Sequence, residues 1–175
     1  MTTPTIAGVV PAALKGQLSA DGSGVNERLI VLGASYVFDP FQFDWSDMSV
    51  NTMMGSIDPA SLEETSVFTY PFLTIDLLAL QDAREIKYST FSGPAVGIVE
   101  VHHSWPDESI IADFGALVNA TADAVLSCLN DAKYQDWPDN LLWNGRAEMR
   151  PGRLKQGGLG WLKTTQFICP FRLTV

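Results

Sequence analysis

Trp161-Leu-Lys-Thr-Thr-Gln-Phe-Ile-Cys-Pro-Phe-Arg-Leu-Thr-Val175 closes the chain and carries its clearest pattern. The odd positions Trp161, Phe167, Cys169, Phe171, Leu173 and Val175 are apolar, interrupted by Lys163 and Thr165, while Thr164, Gln166, Arg172 and Thr174 are polar. A period of two predicts a strand with one buried and one solvated face. Pro170 has no N–H to give a ladder, so either the strand lies at a sheet edge or a bulge falls there. Upstream, Leu141-Leu-Trp143 reads as a second strand, and Arg150-Pro-Gly-Arg-Leu-Lys-Gln-Gly-Gly-Leu-Gly160 between them holds four glycines and a proline. The pair is expected to form a long C-terminal β-hairpin with a projecting, basic, mobile tip.

Working back from the hairpin, Ala95-Val-Gly-Ile-Val-Glu-Val-His-His-Ser-Trp105 alternates in the same way. It predicts a central strand with Val99, Val101, His103 and Trp105 on one face and Glu100, His102 and Ser104 on the other. Pro106-Asp-Glu-Ser109 then supplies caps and negative charge for a helix over about 110–130, with Phe114, Leu117, Val118, Thr121, Val125, Cys128 and Leu129 along one side. At the other end, Ile6, Val9, Val10, Ala13, Leu14 and Leu18 recur at helical spacing and predict an N-terminal helix within 4–20. Arg28 to Gly33 and Ser35 to Phe38 are apolar and β-branched, which predicts a buried strand and its continuation. Val67 to Ile75 predicts another strand, bulged or at an edge because of Pro71, and 76–81 fits neither period. The fold class expected is α+β: a mostly antiparallel sheet flanked by an N-terminal helix and a helix at about 110–130.

The 175 residues suit one domain, 1–175, able to bury roughly two thirds of its unfolded surface. Within it, 39–66 has no sustained period and is expected to be an irregular arm, with a helical turn at Asp58 to Glu64. Phe41, Phe43 and Trp45 are costly to leave in water, so they either fold back on the domain or form a subunit interface. No apolar run is long enough to span a bilayer, and the N-terminus lacks the features of a secretory signal, so a cytoplasmic setting is expected.

The formal charge of −9 argues against a surface that coats nucleic acid. Its distribution is uneven. Six of the eleven basic residues lie from Arg146 to Arg172, whereas 39–82 has eight carboxylates and no Lys or Arg. The tip residues Arg150, Arg153, Leu154, Lys155 and Leu159 are therefore candidates for docking on an acidic surface.

Candidate chemistry is sparse. His102 and His103 are adjacent on a strand, point to opposite faces and cannot share a metal or build a nucleophile and base. His103 reads as a core imidazole with its polar edge satisfied, and His102 as a surface residue. Cys128 and Cys169 have neither metal-ligand nor disulfide spacing and read as small core residues. Gly157-Gly-Leu-Gly160 lacks the Lys and Ser or Thr of a phosphate loop and precedes a strand. No catalytic residue, metal or cofactor is expected.

The order helix, strands, helix, terminal hairpin, with Ser92-Gly-Pro94 before the central strand and Gln156-Gly-Gly-Leu-Gly-Trp161 before the last, resembles tail terminator and related neck proteins of tailed bacteriophages. The likeness covers mainly 67–175, and the 39–66 stretch departs from it. It implies a sheet flanked by helices and a ring of six copies that caps the finished tail tube and joins it to the head. The implied partners are further copies of the chain, the tail tube protein and adjoining neck or connector proteins, with DNA only passing through the ring. The implied setting is the virion, and the host cytoplasm during assembly. Another neck or tail completion ring, an enzyme with an unreadable site and a monomeric ligand-binding module are the alternatives.

Overall fold

The computed structural model describes residues 6–33, 49–52, 71–81, 92–105, 111–131, 135–157 and 160–174. Among these described residues, three helices, α1 (Ile6–Leu18), α2 (Val25–Gly33) and α3 (Ile111–Asn130), accompany a seven-stranded sheet. Its strands are β1 (Ser49–Thr52), β2 (Phe72–Leu80), β3 (Ser92–Trp105), β4 (Leu141–Trp143), β5 (Glu148–Pro151), β6 (Lys155–Gly157) and β7 (Gly160–Thr174). The spatial order is β1-β2-β3-β7-β4, and β5 and β6 also pair with β7. Only β1 with β2 is parallel; every other pairing is antiparallel. The α+β class with an N-terminal helix, a helix near 110–130 and a long terminal hairpin is what the sequence predicts.

β3 and β7 form the spine, paired without a break from Ser92 opposite Thr174 to Trp105 opposite Trp161. Alternation sets their faces. Ala95, Val99, Val101 and His103 on β3, and Thr165, Phe167, Cys169, Phe171 and Leu173 on β7, are buried on the side that meets the helices. α1 crosses that face at Gly97, where an added Cβ would lie 2.5 Å from Leu14 Cδ1 and 2.9 Å from Val10 Cγ1. Only glycine lets the helix approach so closely. Val10, Leu14 and Leu18 from α1, Leu29 from α2 and Val125 and Leu129 from α3 complete one contiguous core.

Arg28 to Gly33 corrects the sequence reading, because it belongs to helix α2 and not to a strand. The apolar run concealed a helical period: Val25 and Leu29 are fully buried and Leu32 packs against the core, while Ile30 and Val31 are 54% and 71% exposed. α3 decides the outcome by offering α2 a surface. Arg28 fixes the pair by donating from Nε to the Ser23 carbonyl at 3.1 Å and from Nη1 to Ser127 Oγ, with Asp131 at 3.5 Å. β2 includes the predicted 72–75 and continues through the ambiguous 76–80, with a register shift between Leu77 and Ala79. Residues 35–38, 58–64 and 67–70 lie outside the described residues.

Candidate functional site

The terminal hairpin carries the residues that the sequence offers for contacts. Its inner arm, β7, has β3 along one edge, so β4, β5 and β6 follow one another along the other. That outer arm is irregular. Trp143 stands opposite Phe171 and Glu148 opposite Ile168, so four outer residues face two inner ones, and Gly145 takes a positive φ of 118° there. This bulge resolves Pro170. β7 is an interior strand, and the Pro170 carbonyl accepts from Asn144 N at 3.0 Å, so its missing donor faces the bulged arm. A second irregularity follows, where 152–154 face two residues of β7. Gly152 N donates to the Thr164 carbonyl at 2.9 Å, and a Cβ on Gly152 would stand 2.0 Å from that oxygen.

The eleven residues expected to form a loose tip are therefore mostly ladder. β5 and β6 carry main-chain pairing to Gly157 opposite Gly160, and 158–159 lie outside the described residues. Composition misled here because glycine and proline limit side-chain packing, whereas a ladder needs only main-chain groups in register. Of the docking residues, Arg150, Arg153, Leu154 and Lys155 are exposed, and Leu159 lies outside the described residues. Arg150 is already engaged: its Nε donates to Glu148 Oε1 at 2.9 Å. The mutual hydrogen bond, and then the opposite charge, lower the Glu148 pKa and raise that of Arg150. The positive end of the tip is thus Arg153 and Lys155, flanking Leu154.

The two histidines occupy opposite faces of β3, as alternation requires. His102 is not a surface residue. It is fully buried, stacked on Phe72 at 4.7 Å, with Nε2 2.9 Å from Thr74 Oγ1 and Nδ1 3.1 Å from Thr164 Oγ1. The alternation that suggested solvent holds, but this end of the second face is buried too, as Phe72, Thr74 and Leu162 show. Burial pushes its pKa down to about 4. His103 lies under α3 with Nε2 2.6 Å from Thr121 Oγ1. The single Thr121 hydroxyl proton has the Leu117 and Val118 carbonyls in reach at 2.8 and 3.0 Å, and giving it to either leaves the oxygen to accept from His103 Nε2. Burial, then the nearby His102 and Lys163, lower its pKa to about 3. Its Nδ1 has no hydrogen-bond partner among the described residues, so within them one edge of the ring is satisfied.

Cys128 and Cys169 are buried and free, with burial raising the Cys128 pKa to about 11 and the Cys169 pKa further still. Among the described residues no group of three His, Cys, Asp or Glu side chains could hold a metal ion, and no helix is long and apolar enough to cross a membrane. Phe41, Phe43 and Trp45 lie outside the described residues.

Two surfaces escape sequence reading. One is the outer side of α2, with Ile30 and Val31. The other is a groove of about 580 Å³ between α1 and 136–140, lined by Val9, Ala13, Gly16, Pro138 and Asp136 among others. The α1 period gives the buried side of the helix; what lies opposite its shoulder depends on where 136–140 run. The chain matches no protein-family model and no curated protein.

Proposed function

We propose that the chain is a structural subunit of a tailed-phage virion that assembles into a ring, as tail terminators do, capping the tail tube and joining it to the neck. The observation that carries the reading is the outer arm of the hairpin. Among the described residues it is a sheet edge broken by two irregularities, and it exposes Leu142 by 65%, Met149 by 41% and Leu154 by 38%. Edges with main-chain groups and apolar side chains available are templates for pairing, and a closed ring gives each a partner. A role in assembly also suits two histidines that are neutral and committed to hydrogen bonds within the fold. Further copies of the chain, the tube protein and the adjoining neck proteins are the partners in this reading, and the virion its location.

Light scattering after size-exclusion chromatography, with native mass measurement of purified particles, tests it. A closed assembly of about six copies is expected, free or on the tube. A strict monomer in both settings would remove the reading.

A further inference from the structure

The apolar groove beside α1 and the basic hairpin tip lie at opposite ends of the molecule. Asn140, on the groove wall, accepts from Thr174 N at 2.8 Å, where the hairpin starts. The tip closes at Gly157 and Gly160, about 50 Å along β7 from Thr174 at the rise of an antiparallel strand, and Leu154, between the Pro151–Thr165 and Lys155–Leu162 pairs, lies about 35 Å along it. The tip of one molecule therefore cannot reach its own groove. The two are complementary. The groove is apolar along Val9, Ala13, Gly16 and Pro138 and carries Asp136 in its wall, with the exposed Asp139 adjoining in sequence. Among the described residues the tip presents the exposed Leu154 between two cations, Arg153 and Lys155.

Geometry also says which symmetry such a contact makes. A twofold dimer joins one patch to itself, whereas a ring of more than two copies needs two different patches that fit each other. Resting on the ring reading above, we propose that the hairpin tip of each copy seats Leu154 in the α1 groove of the next, with Arg153 and Lys155 against the acidic wall at Asp136. Leu154 supplies apolar burial, and the charges set direction, since a reversed subunit would place cations on cations. Gly16 leaves room for the incoming side chain: a Cβ built on it meets nothing within 4 Å.

Disulfide trapping tests the contact directly, because the native Cys128 and Cys169 are buried and free. In a Leu154→Cys/Ala12→Cys variant, mild oxidation should give a ladder of linked chains ending at the closed ring, whereas neither single variant should exceed linked pairs. Gly16→Phe should fill the groove, leave the melting temperature within a few degrees of the parent and abolish the ring. Arg153→Glu/Lys155→Glu should weaken association by at least about tenfold, and adding Asp136→Lys should restore much of it. A ring of unchanged mass with no ladder, and with Gly16→Phe still assembled, would overturn the proposal while leaving the ring reading intact. Retained self-association with lost attachment to the tube in the tip variants would overturn it too, by assigning the tip to another protein. A protein monomeric in every setting would remove both.

Discussion

His102 and His103 are fixed in the neutral state by burial, and that gives stability a pH dependence whose sign follows from proton counting. In the unfolded chain each titrates near 6.5; in the fold their pKa values are about 4 and about 3. Below pH 6.5 the unfolded state binds more protons, so stability is full above that value and falls as pH drops toward the folded pKa values. Lys163 adds to the loss at His103 by disfavouring its charged form. At pH 5 the loss should be about 2 kcal/mol per histidine relative to pH 7.5. Urea denaturation across that range checks this, with His102→Gln expected to remove about half the change; equal stability at the two pH values would contradict the burial of both rings. That the two rings point to opposite faces is readable from adjacency on a strand. That His102 is dry is not, since alternation names a face without saying whether the face is covered.

At the level of elements, α1 is held by one close approach. Val10 and Leu14 rest where β3 has no side chain, at Gly97, and Gln17 ties the C-terminal turn of the helix by donating to the Cys128 carbonyl at 3.2 Å and accepting from Asp136 N at 3.3 Å. Gly97→Val would force Leu14 and Val10 outward in a core with no slack, and should cost about 1–3 kcal/mol. Thermal unfolding measures it, and a companion Leu14→Ala substitution should recover part of the loss by making room. An unchanged melting temperature for Gly97→Val would mean that α1 does not pack there. The same close packing explains why α1 and α3 could be read from their periods and α2 could not. In α1 and α3 the apolar positions fall on one side, whereas α2 carries Ile30 and Val31 on its exposed side, so Leu29 to Leu32 reads as an unbroken apolar run that hides the period. The hairpin was half legible. β7 announced itself by alternation, but the outer arm is made of short pieces separated by bulges, and a register that changes twice leaves no period to detect.

For the whole molecule, the core cluster draws on α1, α2, α3, β2, β3, β4 and β7, and the stacked Trp137 and Trp143, 5.2 Å apart, both meet Phe171 edge-on within it. A core shared by so many elements should unfold as one. Tryptophan fluorescence and far-ultraviolet circular dichroism are expected to give coincident denaturation midpoints; two separated transitions would show that the helical layer and the sheet are independent. The sequence by itself determined the two long strands that form the spine, the amphipathic helices α1 and α3 and the burial of both cysteines, because each depends on a side-chain period or on a residue's own solvation. The tertiary structure alone decided that Val25–Gly33 is a helix, that His102 is buried, that the glycine-rich tip is ladder, and that α1 and 136–140 enclose a groove. Each of those depends on which surface a segment meets, and a local pattern carries no record of a partner that is distant along the chain.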